Sequence, residues 1–152
     1  MKLRPAVEND VPALRVMLQK LAEHDGASYP VAPEAALRAG GFGARPLYRA
    51  VIAEDDGGPL GVAVFYPDFS THRGEPGVYI QDIWVEPAAR GRGRGRKLLA
   101  EAMRLQDWGA KYIALGVSPE NMTAHGFYER LGFRRRGYEM MILTGAGVGA
   151  LK

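Results

Sequence analysis

The stretch Val85-Glu86-Pro87-Ala88-Ala89-Arg90-Gly91-Arg92-Gly93-Arg94-Gly95-Arg96-Lys97-Leu98-Leu99 decides how the rest of the chain is read. An apolar run enters it and an amphipathic pattern leaves it. Residues 90–97 hold three glycines, four arginines and a lysine. Glycine lets a backbone come close to a ligand because no Cβ intervenes. A helix that starts there presents unpaired N–H groups and the positive end of its dipole, which together suit a phosphate. The spacing excludes two phosphate loops. Counting from Gly91, both a Walker loop and a GxGxxG dinucleotide turn need glycine at 96, where Arg96 stands.

Upstream, Val78 to Val85 reads as a central strand with apolar residues on both faces. Downstream, Leu98, Leu99, Ala102, Met103 and Leu105 mark a helix that ends near Gly109. Working outward, Lys2 to Ala6 is a first strand, and Val11, Leu14, Met17, Leu18 and Leu21 predict a helix over 11–24. Pro33-Glu34 opens a short helix to about Ala39, which Gly40-Gly41-Phe42-Gly43 is expected to break. Leu47–Glu54 and Leu60–Tyr66 form a hairpin about Asp55-Asp56-Gly57-Gly58. Polar Pro67 to Gly77 is expected as a surface loop. Tyr112–Val117 is a strand, Asn121–Leu131 a helix, and Tyr138–Leu143 a last strand. This order predicts an α/β (α+β) chain with a mixed sheet and helices on its faces. Residues 1–144 are expected to form a single domain, with 145–152 a flexible tail.

The chain's 152 residues suit one domain with a sizeable core. The net charge of +3 is small and is concentrated in residues 90–97. That favours a phosphate-bearing small molecule over nucleic acid, whose partners are basic over a wider surface. A disordered, RNA-binding Arg-Gly segment would sit in a low-complexity tail, whereas this run lies between a strand and a helix. No apolar run approaches the roughly 20 residues of a membrane span. With no cysteine, a Cys nucleophile and thiolate metal sites are excluded. The three histidines show no metal-ligand spacing, so no metal is expected. Absence of cysteine is also compatible with a cytoplasmic location.

Arg90-x-x-Gly93-x-Gly95 leading into a helix resembles the acetyl-coenzyme A (acetyl-CoA) motif of the GCN5-related N-acetyltransferase (GNAT) superfamily. Asn121-x-x-Ala124-x-x-Phe127-Tyr128-x-x-x-Gly132-Phe133 is similar to that superfamily's later element. The resemblance implies a mostly antiparallel sheet of six to seven strands with about four helices. It also implies a homodimer and acetyl-CoA as cosubstrate. On this basis Gly91, Gly93 and Gly95 hold the pyrophosphate through their amides, with Arg90 in the motif's first position. Arg92, Arg94, Arg96 and Lys97 either reach the phosphates or stay solvated. Backbone groups of Trp84 and Val85, with Asn121 and Phe127, border the pantetheine arm. Tyr128 is the candidate acid near the coenzyme sulfur; in isolation it would read as a core tyrosine, and Asn121 as a helix cap.

Two further segments are similar to the diamine and thialysine N-acetyltransferase group: Gly41-Phe42-Gly43 with Pro46-Leu47-Tyr48, and Tyr79-Ile80-Gln81-Asp82-Ile83-Trp84-Val85. They imply a small primary amine (polyamine, diamine or thialysine-like) as acceptor, bordered by Asp25, Phe42, Gln81 and Asp82. Other acceptors on such a scaffold are antibiotics, amino acids or protein amines, and a non-catalytic acyl-CoA sensor is the reading from another class. The group's strand carries a Glu-Asp pair, with the Glu linked to amine activation. Here that position is Gln81, which cannot serve as a base. Either Asp82 or a water chain to another carboxylate is then the base, or the acceptor differs; Asp82 otherwise reads as a structural ion pair. On a regular strand Gln81 and Asp82 point to opposite faces, and only a bulge would bring them together.

Overall fold

The computed structural model describes residues 1–28 and 30–152. The chain divides into two compact units, Met1–Asn121 and Met122–Lys152.

The first unit is a five-stranded sheet in the order β1-β2-β3-β4-β5. The strands are β1 (Lys2–Pro5), β2 (Arg49–Asp55), β3 (Gly58–Ser70), β4 (Glu75–Val85) and β5 (Ile113–Leu115). The first four pair antiparallel, and β4 with β5 is the single parallel pairing. Helices α1 (Val11–His24) and α2 (Glu34–Phe42) belong to one side of the sheet, and α3 (Arg94–Leu105) to the other.

Side-chain alternation explains this layering. Ile52, Val62, Val64 and Trp84 join Leu14, Met17 and Leu18 of α1 in one buried cluster. Ala53 and Gly61 face the other way, where the Leu98 side chain of α3 lies against them. Burying each large aliphatic side chain contributes about 1.5–3 kcal/mol, so both faces of the hairpin strands are held. Arg4 ties β1 to the start of α1 and to β2, through Asp10 at 2.7 Å and Glu54 at 2.9 Å.

Three sequence expectations are corrected. First, Pro67–Gly77 is mostly strand: β3 runs to Ser70 and β4 begins at Glu75. Its polar residues lie on a long two-stranded ribbon, where Tyr66 and Tyr79 stack with centroids 5.2 Å apart. Second, α2 runs through Gly40 and Gly41 to Phe42. Those glycines leave room for the Tyr48 ring instead of ending the helix. Third, the sheet has five strands, not six to seven, because Tyr138–Leu143 forms no strand. A strand needs a neighbouring edge as well as a suitable pattern, and Tyr138, Met140, Met141 and Ile142 are exposed here.

The second unit holds α4 (Met122–Arg130) and a single helical turn, α5 (Ala146–Gly149). In α4 the buried Tyr128 ring meets Phe127 at 5.1 Å and Phe133 at 5.4 Å. The Tyr128 carbonyl accepts the N–H groups of Leu131 and Phe133 at 3.0 Å, which closes the helix end.

Candidate active site

The register of β3 on β4 creates the site. Val64 lies opposite Asp82, and the next residue, Phe65, lies opposite Ile80. Gln81 is therefore the extra residue of a β-bulge. A bulge lets neighbouring side chains face the same side. Gln81 and Asp82 accordingly line one cleft of about 270 Å³.

The walls of that cleft are apolar, with Leu18 from α1, Leu37 from α2, and Leu47 and Val64. Two tyrosines complete it. Tyr48 donates its hydroxyl to the Leu37 carbonyl at 2.5 Å. Tyr66 donates to Gln81 Oε1 at 3.0 Å. Phe42 is half-buried and meets Tyr48 edge-to-face at 6.3 Å, so it supports the cleft-lining tyrosine from behind.

Asp82 is the half-buried carboxylate of this cleft. Burial raises its pKa to about 6, and the charge of Asp25 adds to the rise. Asp25 directly follows α1, as its C-cap. It is exposed, close enough for its charge to act on Asp82. A carboxylate that titrates near neutrality accepts a proton effectively at neutral pH. Gln81 has no such capacity, so of these two neighbours only Asp82 is able to accept a proton.

Beyond Ile80, β4 separates from β5. Their pairing covers Val78↔Ile113, Tyr79↔Ala114 and Ile80↔Leu115, while β4 continues to Val85. The Glu86 N–H donates to the Leu60 carbonyl, so alternation turns the backbone groups of Val85 and Ile83 to the edge away from β3. Trp84 turns its backbone toward β3. Its buried ring lies beneath the Arg90 guanidinium at 4.6 Å and meets the His24 ring at 5.8 Å. The backbone edge away from β3 is thus that of Ile83 and Val85, with the Trp84 ring packed between Arg90 and His24.

The glycine loop runs from a one-turn 3-10 segment (Pro87–Ala89) into α3. Gly91 and Gly93 have φ of +80° and +68°, a region that L side chains rarely adopt. Open space surrounds both positions. No side chain caps α3, so its first-turn amides, including Gly95, are available. The arginines separate into two kinds. Arg90 Nε donates to the Val85 carbonyl at 2.8 Å, and Arg94 Nη1 to the Ala89 carbonyl at 2.7 Å. These two brace the loop. Arg92, Arg96 and Lys97 are exposed and can meet phosphate.

Asn121 directly precedes α4, in the position of its cap. Phe127 and Tyr128 lie on α4 in the second unit. Among the described residues, no group of three His, Cys, Asp or Glu side chains could hold a metal ion.

Tyr48 and Tyr66 were not singled out as site residues from the sequence. Tyr48 stands in the Gly-Phe-Gly…Tyr segment, which offered a signal. Tyr66 gave none, because only the strand register brings it to Gln81, fifteen positions away.

An uncapped helix behind a glycine loop, beside a strand whose edge has come away from its neighbour, is a frame suited to a phosphate-bearing ligand with an extended chain. Residues 15–133 match the Acetyltransferase (GNAT) family, and the chain belongs to it. It is 34% identical over 140 residues to a thialysine N-epsilon-acetyltransferase of Bos taurus, covering 86% of this chain and 82% of the relative. An integron cassette protein of V. cholerae superposes with a TM-score of 0.77 at 21% identity, over 99% of this chain and 96% of that one. An aminoglycoside N-acetyltransferase in complex with CoA superposes at 0.69 with 21% identity, over 95% of this chain and 99% of that one. At those identities the structural likeness establishes the fold. The protein is an acetyl-CoA-dependent N-acetyltransferase.

The chain's own residues suit that cosubstrate. The positive-φ glycines and uncapped α3 amides offer hydrogen-bond donors to a pyrophosphate. The β4 edge away from β3, at the N–H and carbonyl of Ile83 and the N–H of Val85, offers a donor and acceptor pattern to an extended amide chain such as pantetheine.

Proposed function

We propose that this enzyme acetylates the terminal primary amine of a small, thialysine-like molecule by direct attack in a ternary complex. The observation that carries the reading is Asp82, placed by the bulge in an apolar cleft with a carboxyl pushed up to about 6. A substrate ammonium would meet Asp82, with Asp25 adding negative charge. Asp82 takes the proton and frees the nitrogen lone pair. The new N–C bond forms as the C–S bond of the thioester breaks, Tyr128 gives a proton to the departing thiolate, and the acylated nitrogen releases its second proton to water. An N–H on the β4 edge would stabilise the developing oxyanion. The apolar walls favour a carbon chain behind the amine. The name of the bovine relative supports a thialysine-like acceptor.

In this reading the two compact units work as one domain over residues 1–144, since the family match crosses their boundary. The active species is a homodimer. The exposed Met140, Met141 and Ile142 offer apolar surface that a second copy would cover. The location is cytoplasmic, where acetyl-CoA is supplied.

The test is CoA release with a panel of amines: thialysine, lysine, diamines, polyamines and an aminoglycoside. Thialysine is expected to give the highest kcat/KM. Saturable acetyl-CoA binding with no turnover on any amine would replace this reading with a sensor.

A further inference from the structure

The orientation of Gln81 in the cleft carries information that its lost basicity does not. Its Oε1 is occupied by the Tyr66 hydroxyl at 3.0 Å. A carboxamide has one oxygen and one NH2 on the same carbon, so fixing the oxygen fixes the other end as a donor. Tyr66 is itself held in place, stacked on Tyr79 at 5.2 Å. Burial, with Tyr79, Asp68 and Asp82 nearby, raises the pKa of its hydroxyl, which keeps the proton it donates to Gln81. The cleft thus holds two unlike groups on adjacent residues: a carboxylate at Asp82 and an oriented amide at Gln81.

We infer that Gln81, oriented by Tyr66, selects amines that carry a hydrogen-bond acceptor a few atoms from the reacting nitrogen and rejects those with a second cation there. This rests on the proposed function, with the ammonium at Asp82. Asp82 and Gln81 are neighbours in the chain and line one cleft, so the second group on the substrate lies within a few bonds of the amine. An ether, thioether or carbonyl accepts from the Gln81 NH2. A protonated secondary amine has only donors and meets the Gln81 NH2 donor-to-donor, without an acceptor to replace its lost water. Gln81 touches substrate in this account, and Tyr66 is a positioning residue.

The test compares a 3-alkoxypropylamine with an N-alkyl-1,3-diaminopropane of the same length. They differ in an ether oxygen against a protonated nitrogen. The parent enzyme is expected to favour the ether in kcat/KM by about tenfold or more. Gln81→Glu, an exposed and nearly isosteric change, is expected to reverse the order. Tyr66→Phe keeps the ring stack but frees the amide to turn. It is expected to shrink the preference through KM for the two amines while acetyl-CoA affinity stays the same. Equal use of both amines by the parent, or an unchanged ratio in Gln81→Glu, overturns the inference and leaves the proposed function standing. No CoA release with any small amine overturns the proposed function first, and this inference with it.

Discussion

The Tyr48 ring lies against the bare backbone of Gly41. A Cβ added at Gly41 would stand 2.5 Å from the Tyr48 Cζ and 2.6 Å from its Cε2. The glycine therefore makes room for an aromatic side chain that lines the Asp82 cleft and closes a hydrogen bond to Leu37.

Gly41→Ala is expected to push Tyr48 aside. Alanine is better in a helix by about 1 kcal/mol, but overlap of this size costs typically 1–3 kcal/mol. The melting temperature should fall, and KM for the amine should rise by about tenfold with acetyl-CoA affinity unchanged. A melting temperature at or above the parent's would show that Tyr48 moves without penalty.

Asp82→Asn is expected to lower kcat/KM by about 10²–10⁴-fold, the usual range for a lost acid–base group. In the parent, activity should rise with pH through about 6 as Asp82 ionises, and the variant should lack that limb. Stability should move oppositely. The folded pKa is raised above its usual 3.8, so its contribution is present below that value and is lost as pH rises through about 6. At roughly 1.4 kcal/mol per pK unit, removing the charge stabilises the fold by up to about 3 kcal/mol at pH 8. Melting curves should therefore place Asp82→Asn above the parent at pH 8, with the gap closing by pH 4. A constant gap would mean that Asp82 is not held near neutrality by burial.

Acetyl-CoA is expected to raise the melting temperature. A ligand at a hundred times its Kd stabilises by about 2.7 kcal/mol, which is roughly 5–10 °C for a domain of this size. Replacing Gly93, whose φ of +68° opens α3, by valine should remove most of that shift. Equal shifts in both proteins would detach the glycine loop from cosubstrate binding.

Tyr128→Phe keeps the rings that meet Phe127 and Phe133 and removes only the hydroxyl. Turnover is expected to fall by about 10²-fold while acetyl-CoA affinity persists. Turnover equal to the parent's would return Tyr128 to the role of a core aromatic.

Much of the fold was legible in local patterns. The helix over 11–24 followed from apolar residues at helical spacing, and the hairpin at 55–58 from its turn residues. Gly91 and Gly93 adopt positive φ, which glycine takes without strain. Errors arose where a long-range partner decides the outcome. Pro67–Gly77 looked like a loop because its polarity is local, but cross-strand pairing makes it sheet. Tyr138–Leu143 looked like a strand, yet an apolar pattern cannot name the edge it would join.

The sequence by itself determined the family and the donor, because a phosphate cradle is made from contiguous backbone whose glycines are visible as letters. It also placed Asp82 and Gln81 side by side and showed that only one of them can accept a proton. Only the tertiary structure decided that both face the same cleft. That follows from one extra residue opposite Val64, and a strand's register depends on its partner. The same holds for Asp82 being held near neutrality and for Tyr66 orienting Gln81. Burial and Coulomb coupling act through space, between groups far apart in the chain.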